Sequence, residues 1–360
     1  MSKINLFRKI SSGLKIVPLL LLLAACGSTG NAAKKNSKKA PDWVLSGTSS
    51  AYPKSAYLTG IGESKDKKSA ELDAIEELVS VFGQKVTSAS LASRRMVQAQ
   101  SKGVVASSDV ASLDQGILRE VNQNDIIAIE IPEFFESQKD GKWYALAVMS
   151  REKGTQIYSN MIQKNETEIQ KLLNQVKSDK DPYTLQNFAR LDFAEEVAGL
   201  NEGYLKRLTI INPSAGEKFA SISTPVQIHK TKYELAVKIP VCVSVDSDSD
   251  GRIAKAFQEV MSSFGFNTTL GSNERYKISC QNHFTPGESG DGKTKFCEYA
   301  AECALIDTFS GETLVPLSVT GREGSQTAQN AEIRAKQKIS SKIKGDFANG
   351  FQKYLGDFTD

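Results

Sequence analysis

The hydrophobic pattern predicts that the first folded segment begins at residue 41. The stretch "AYLTGIGES" (56–64) is predicted to be a strand that runs into a glycine-rich turn. A helix is expected next, because apolar residues recur at intervals of three and four: Leu72, Ile75, Val79, Phe82 and Val86. This stripe is expected to pack against a sheet. Two strands, 125–137 and 142–152, then flank the turn sequence "QKDG", so the predicted order is strand, helix, strand, strand.

Residues 151–208 are predicted to form two helices that lie back to back. The sequence "SDKDPY" interrupts the helical pattern, and Asp181 is expected to cap a second helix with Pro182 in its first turn. The residues between the helices are predicted to be Ile162, Ile169, Leu173 and Val176 in the first and Leu185, Phe188, Val197 and Leu200 in the second. Upstream, the polar stretch 91–121 is expected to be helical in part.

The C-terminal part repeats the alternation of strands and helices. The predicted order is a strand (233–245), a helix (251–266), three strands (275–280, 295–308 and 312–321) and a final helix. In the final helix, apolar residues stand at intervals of four: Ile339, Ile343, Phe347, Phe351 and Leu355. The expected fold class is therefore α+β, with two small strand–helix–strand–strand units joined by a helical hairpin.

These elements divide the chain into five segments. A signal peptide is expected at 1–25 and a flexible, lysine-bearing tether at 26–40. An α+β domain (41–150), the helical hairpin (151–212) and a C-terminal α+β domain with a long final helix (213–360) are expected to follow.

The N-terminal pattern predicts a removable export signal. The first residues carry four positive charges and no acidic residue, at Lys3, Arg8, Lys9 and Lys15. The apolar run 16–25 is about half the roughly 20 residues that a transmembrane helix needs. Its length therefore fits the hydrophobic region of a secretory signal.

The apolar run ends in Leu23, Ala24, Ala25 and Cys26, with Gly27 after the cysteine. This sequence resembles the lipobox of bacterial lipoproteins. The resemblance implies cleavage before Cys26, acyl chains on Cys26 as the membrane contact, and outer-membrane sorting through Gly27. Each buried methylene contributes about 0.8 kcal/mol, so two or three acyl chains would anchor the protein stably. The expected location is the bacterial envelope, at the outer membrane and facing the periplasm.

The formal net charge of +3 belongs to the predicted signal. Removing the four positive charges of residues 1–25 leaves −1, and the main support for a nucleic-acid partner disappears with them. The tether keeps four lysines: Lys34, Lys35, Lys38 and Lys39. They could contact anionic headgroups or cell-wall polymer, or simply keep the tether solvated and extended.

Four cysteines follow Cys26: Cys242, Cys280, Cys297 and Cys303. An even number in an exported protein suggests two disulfides, and a hairpin of the strands 275–280 and 295–308 favours Cys280–Cys297 with Cys242–Cys303. Cys297 and Cys303 are six residues apart, an even number, which puts them on one face of the strand and too far apart to bond to each other. Four buried, reduced thiols are the alternative. A zinc site with His283 fits no common ligand spacing.

The sequence "DSDSDG" contains the one candidate metal site. Asp246, Asp248 and Asp250, followed by Gly251, match the first half of a calcium loop. The twelfth position of such a loop requires a bidentate Glu, and here it is Phe257. The alternative, which we favour, is that Asp248 or Asp250 caps the helix that follows.

Other chemical signatures are weak in this sequence. Gly60 and Gly62 stand at a predicted strand–helix junction, but a dinucleotide fingerprint needs a third glycine, so a tight turn is the favoured interpretation. No HExxH, GxSxG or P-loop motif occurs, and the chain has two histidines. We therefore expect no cofactor and no catalytic site.

Several of these features together resemble one known family. "PDWV", "YPKSAYLTGIGES", a helix with Ala70, Ala74 and Leu78 at regular positions, and "KWYALAVMSRE" resemble the "LPP twenty" family of bacterial lipoproteins. The resemblance covers about residues 41–150, and the family includes domains of the flagellar outer-membrane proteins FlgP and FlgT. It implies a small α+β envelope domain without known catalysis. The C-terminal unit is similar, by element order alone, to small α/β domains of periplasmic lipoproteins.

The sequence therefore predicts a non-enzymatic structural or adaptor lipoprotein, with a role in outer-membrane or flagellar assembly as one form of it. The expected partners are the membrane, through Cys26, other envelope proteins and peptidoglycan, with no nucleic acid. Two alternatives remain: a regulator of a cell-wall synthesis enzyme acting through its C-terminal unit, and a calcium-dependent binding protein.

Overall fold

The computed structural model describes residues 39–82, 128–270, 274–290 and 292–358. Three predicted segments lie outside these residues: the signal peptide, the tether up to residue 38, which includes Cys26, and the stretch 91–121. Val86 also lies outside them. From Ala40 onward the described residues form one compact unit. It mixes helices with two sheets, which confirms the α+β class. Among these residues, no helix has both the length and the apolar character that a bilayer crossing requires.

The elements follow the chain in this order. The first half contains α1 (Asp42–Ser46), β1 (Tyr57–Ser64), α2 (Lys67–Ser80), β2 (Glu130–Glu136), β3 (Trp143–Ser150), α3 (Arg151–Ser178) and α4 (Leu185–Ile211). The second half contains α5 (Pro213–Glu217), α6 (Pro225–Ala236), β4 (Val241–Val245), α7 (Arg252–Ser263), β5 (Thr268–Leu270), β6 (Tyr276–Glu288), β7 (Lys295–Asp307), β8 (Glu312–Ser325), α8 (Ala328–Lys342), a π-helical turn (Ile343–Phe347) and α9 (Ala348–Gly356).

Two sheets organise the molecule. The first has three antiparallel strands in the order β1-β3-β2. The second has the order β5-β4-β6-β7-β8; β4 is parallel to β5 and β6, and β6, β7 and β8 are antiparallel. The hairpin of β2 and β3 around "QKDG" confirms the turn predicted there.

The glycines of "GIGES" lie inside β1 and not in a turn, so that prediction was wrong. Gly60 pairs with Ala147 and Gly62 with Ala145 in the antiparallel register. A Cβ atom at Gly62 would overlap the backbone of Ala70 and Ala74 in α2. The glycines are therefore required because helix and strand approach each other so closely.

The same close approach decides which side of α2 faces the sheet. The predicted stripe was wrong at Leu72, which is 55% exposed. The fully buried residues of α2 are Ala70, Ala74 and Leu78. Small side chains of α2 face the glycines of β1 because larger side chains would not fit between the helix and the strand.

The opposite face of the three-stranded sheet is covered as well. Trp43 of α1 is 1% exposed and packs with Leu146 and Val148 of β3. Its indole Nε1 donates a hydrogen bond of 2.7 Å to Glu133 Oε2 on β2. β3 is therefore buried on both faces.

Helices α3 and α4 connect the two sheets. At 28 residues, α3 is about 42 Å long. Near its start, Tyr158 and Ile162 pack under the first sheet together with Leu208 and Ile211 at the end of α4. At the other end of the pair, the backbone N–H of Leu185 donates to the Tyr276 hydroxyl on β6. The predicted helical hairpin thus spans from one sheet to the other.

The second helix of the hairpin begins later than predicted. Thr184 caps α4, because its hydroxyl accepts from the backbone N–H of Asn187 at 3.1 Å. Pro182 and Asp181 lie in the preceding loop, where Asp181 pairs with Arg275 at 2.5 Å. The carboxylate of Asp181 is therefore paired with the residue that precedes β6 and does not cap the helix.

The segment "YELA" was predicted as part of a strand and belongs instead to α6. Thr224 and Gln227 form a capping box at its start, and Pro225 occupies the first turn. These signals fix the helix, so the strand β4 begins only at Val241.

The final helix is confirmed, with a π-helical turn at its centre. Its buried residues include the five predicted at intervals of four. In an ideal α-helix a four-residue interval drifts by about 40° per step. The wider π turn at Ile343–Phe347 absorbs part of this drift and keeps the stripe on the sheet.

Candidate interaction surface

In the five-stranded sheet, the distal parts of β6, β7 and β8 have one face covered by helices and one face exposed to solvent. The C-terminal helices pack on residues of β6, β7 and β8 that alternate along each strand. The residues between them point away from these helices. In the distal part of the strands we call these side chains the open face: Gln281, His283, Thr285, Glu298, Ala300, Glu302, Ser318, Thr320 and Arg322. All are exposed except Ala300, which is half-buried.

The strand register arranges the open face in three cross-strand rows. The rows are Gln281–Glu302–Ser318, His283–Ala300–Thr320 and Thr285–Glu298–Arg322. The Ser318 hydroxyl donates to Glu302 Oε1 at 2.6 Å. Side chains in one row lie about 5 Å apart at Cβ. Hydroxyl, imidazole, carboxylate and guanidinium groups are therefore all within reach of a single bound molecule.

A cavity of about 370 Å³ lies over the second and third rows. Ala300, the smallest side chain of the open face, lines it together with larger neighbours. The Arg322 guanidinium lies 3.4 Å from the centroid of the Phe296 ring. Glu298 is directly opposite Arg322 in the register, yet within the described residues neither side chain forms an ion pair or hydrogen bond. Arg322 therefore contacts an aromatic ring and not the carboxylate opposite it.

A larger cavity, of about 770 Å³, lies where α3 begins and α4 ends. Arg151 lines it, but its guanidinium is engaged with backbone carbonyls: Nη1 donates to Ile211 at 2.6 Å and to Ile210 at 3.2 Å, and Nε to Lys54 at 3.1 Å. A cation at the end of a helix satisfies its last carbonyl groups. This cavity is therefore a structural joint between the helical pair and the first sheet.

The aspartate turn is used to start α7. Asp248 Oδ2 accepts from the backbone N–H of Ile253 at 2.9 Å and of Ala254 at 2.8 Å. Burial raises the pKa of the Asp248 carboxyl, and the neighbouring Asp250 acts in the same direction. Phe257, at the position where a calcium loop needs Glu, is fully buried. The geometry is that of a helix cap.

Asp250 faces a buried lysine. Lys336 of α8 has a side chain that is 4% exposed; its Nζ lies 3.7 Å from Asp250 Oδ1 and 2.9 Å from Glu332 Oε1. Burial disfavours the charged lysine, but these carboxylates outweigh it and raise the pKa of Lys336. Asp246 is exposed. Among the described residues, no group of three or more His, Cys, Asp or Glu side chains could hold a metal ion.

The disulfide in the structure differs from the predicted pairing. Cys280 is bonded to Cys303, whereas Cys242 and Cys297 are free and buried. The prediction assumed a short hairpin. Because β6 and β7 run for 13 residues each, the residue opposite Cys280 is Cys303, and Cys297 lies opposite Pro286. Cys297 and Cys303 share one face of β7, as their spacing predicted.

His283 is separated from the cysteines by the strand alternation. Cys280 points to the covered face of β6, and His283, three residues later, belongs to the open face. The two side chains cannot share one metal ion. The strand instead directs His283 to the cavity with Thr285 and Glu298.

Sequence reasoning named His283 only for zinc and missed the other members of the open face. The signal was present in "KFCEYAAECALID", where Glu298 and Glu302 stand four residues apart in an otherwise apolar run, an even spacing that places both on one face of the strand. The same alternation places Ser318 and Thr320 in β8. Thr285 of β6 lies in the same row as Glu298 of β7 because of the strand register. The register cannot be read from the sequence of one strand.

Neither a protein-family model nor a curated protein sequence matches the chain. Among solved structures it is similar to the secreted protein HP1454 of Helicobacter pylori, with 16% identity, a TM-score of 0.39, and coverage of 83% of this chain and 98% of that one. It is also similar to a minor lipoprotein of Acinetobacter baumannii, with 12% identity, a TM-score of 0.21, and coverage of 33% and 91%. A third is lipoprotein B of Nitrosomonas europaea, with 16% identity, a TM-score of 0.19, and coverage of 32% and 79%.

These neighbours are secreted proteins and lipoproteins. TM-scores this low carry no conclusion about function. The resemblance to the "LPP twenty" family stays a prediction.

Proposed function

We propose that this protein is a lipid-anchored, non-enzymatic adaptor of the bacterial envelope whose open face binds another envelope protein. The observation that carries the proposal is the open face itself. Three long strands present rows of polar side chains that no described residue covers. Such a face offers hydrogen-bonding groups in fixed positions on a rigid element.

In this proposal Cys26 anchors the protein to the membrane, with its acyl chains in the outer membrane. The tether 26–40 has a root-mean-square span of about 20 Å if it behaves as a flexible chain. The folded unit would then stay close to the membrane and within reach of peptidoglycan, which we propose as a further contact. Gly27 after the cysteine favours sorting to the outer membrane over the inner one.

The helical pair suits an adaptor because it fixes the distance between the sheets. Its two ends are tied to different sheets, through Arg151 near the first and through Leu185 and Asp181 at the second. A partner bound on the open face is thereby held in a fixed relation to the segment nearest the tether.

Site-specific photo-crosslinking in intact cells tests the open face. A photoreactive residue at Thr320 is expected to give discrete adducts with an envelope protein. The matched control is Lys338, which is exposed on α8 on the opposite side of the sheet. Adducts at Lys338 with none at Thr320 would contradict the proposal. If the captured protein is a cell-wall synthesis enzyme, a change in the rate of that enzyme on adding the purified protein would make the adaptor a regulator of it.

A separate experiment tests the anchor. Cys26→Ser is expected to lose the acyl mass and to disappear from the outer-membrane fraction, because the thiol that carries the lipid is gone. Mass spectrometry of the unsubstituted protein should find acyl mass on Cys26. An intact Met1 and no added mass would overturn the lipid anchor.

A further inference from the structure

We propose that the cavity over Ala300 binds a small zwitterion, a molecule of amino-acid or dipeptide size that carries one carboxylate and one ammonium group. The inference deepens the proposed function, since it rests on the same open face. It names a ligand chemistry for one part of that face.

The orientation of Arg322 suits it to bind a carboxylate. Its guanidinium stacks on the Phe296 ring at 3.4 Å from the centroid. A stacked guanidinium keeps its N–H groups at the rim of the plane, where they can bind a carboxylate in two places. Phe296 is itself held in place, because its ring fills the space above Gly287 on β6.

The position of Glu298 suits it to bind an ammonium group. It lies one strand away from Arg322 in the same row, and its carboxylate is exposed and has no ion-pair partner among the described residues. Many other surface charges of the molecule are paired, for example Lys342 with Asp346 at 2.9 Å. A ligand lying along this row would place its ammonium group at Glu298 and its carboxylate at Arg322.

The rest of the cavity lining is largely polar. Thr285, Thr320 and His283 line the same cavity, and each can donate or accept a hydrogen bond. Ala300 leaves the space that the ligand would occupy. A ligand with a single charge would leave either Glu298 or Arg322 unpaired, so charge complementarity favours a zwitterion.

Calorimetry on the full-length lipidated protein in detergent micelles tests the inference. The probes are alanylalanine, its N-acetyl derivative, which has only the carboxylate, and its amide, which has only the ammonium. Exposed ion pairs are weak, so we expect alanylalanine to bind about fivefold more tightly than either derivative. Equal binding of all three, or no binding of alanylalanine, would overturn the proposal.

Two variants separate the roles of the charges. Arg322→Gln is expected to weaken binding of the N-acetyl derivative about fivefold and to leave the amide unaffected; Glu298→Gln is expected to do the reverse. The matched controls, Lys338→Gln and Glu76→Gln, remove exposed charges elsewhere and should change neither. A variant that weakens both derivatives equally would point to a general change of the sheet and contradict the assignment.

The source of the zwitterion is distinguished in a second arm. If the source is a wall peptide, the protein sediments with purified peptidoglycan, and both alanylalanine and Arg322→Gln reduce this. If the source is a free solute, alanylalanine binds but peptidoglycan does not. The two proposals also fail separately: adducts at Thr320 without alanylalanine binding overturn the ligand and leave the adaptor.

Discussion

The two sheets of this protein solve the same packing problem in opposite ways. In the three-stranded sheet the central strand β3 has five consecutive buried residues, Ala145–Met149, because α2 covers one face and Trp43 the other. In the five-stranded sheet β7 alternates, with Cys297, Tyr299 and Ala301 buried and the residues between them on the open face. A continuous apolar run indicates a strand that is buried on both faces, and alternation indicates a strand with one solvent-exposed face. The solvent-exposed face is the one available for binding.

The helices that cover the sheets also differ in kind. Against β1 the contact is made by backbone, glycine and alanine, with nothing larger than Leu78. Against the second sheet, aromatic rings fill the space: the Phe257 and Phe347 centroids lie 5.0 Å apart. The first contact depends on shape at the level of single methyl groups, and the second on buried volume.

Gly62→Ala is the substitution that should break the first sheet most severely. The new Cβ would overlap the backbone of Ala70 and Ala74, which cannot rotate away as a side chain would. We expect the free energy of unfolding to fall by at least about 4 kcal/mol, measured by urea unfolding.

The matched control for this substitution is Gly199→Ala. Gly199 lies on the exposed side of α4, and nothing stands within 4 Å of its added Cβ. Alanine favours a helix interior, so we expect a stabilisation of up to about 1 kcal/mol. A Gly62→Ala protein as stable as the Gly199→Ala protein would show that the helix does not approach β1 so closely.

Trp43→Ala tests the other cover of the first sheet. Removing this buried ring exposes Leu146 and Val148 and leaves Glu133 without its indole donor. We expect a loss of about 3 kcal/mol in the free energy of unfolding. Trp43→Phe keeps most of the ring and should recover the larger part of the loss; if both variants unfold alike, the hydrogen bond to Glu133 dominates.

The sequence was a good guide to the elements and a poor one to their partners. The five residues at intervals of four in the last helix predicted its buried stripe, and "QKDG" predicted the first hairpin. The prediction that Leu72 is buried was wrong, because the most apolar stripe of α2 does not face the sheet. Ala70 and Ala74 face it instead, since the glycines of β1 bring the helix too close for larger side chains. Cys303 was missed as the partner of Cys280 for the same reason: pairing depends on the register of long strands.

Asp307→Asn tests how much the five-stranded sheet is stabilised by the ion pair between Asp307, at the end of β7, and Arg275. Arg275 lies 2.9 Å from Asp307 and also pairs with Asp181 of the helical pair. Burial opposes ionisation of Asp307, but hydrogen bonds from Arg275 and from the Phe309 backbone N–H hold the pKa of Asp307 below its usual value.

A carboxyl whose pKa is lower in the folded state stabilises the fold above its unfolded pKa of about 4 and loses this effect as the pH falls through the lower folded pKa. At pH 7 we therefore expect Asp307→Asn to lower the free energy of unfolding by about 1–2 kcal/mol. The difference should shrink below about pH 4. Asp346→Asn, which removes an exposed pair with Lys342, should change the free energy of unfolding much less. An equal loss at every pH would assign the effect to packing instead.

The smallest effect, and the most direct comparison of a covered face with an open one, comes from two neighbours on β8. Val319 is 7% exposed on the covered face, and Thr320 belongs to the open face. Val319→Ala removes packing and should cost about 1–2 kcal/mol, whereas Thr320→Ala should stay within about 0.5 kcal/mol. A marked loss of stability at Thr320 would mean that part of the chain covers this face. Unchanged stability together with lost adducts in cells would separate binding from folding at a single strand position.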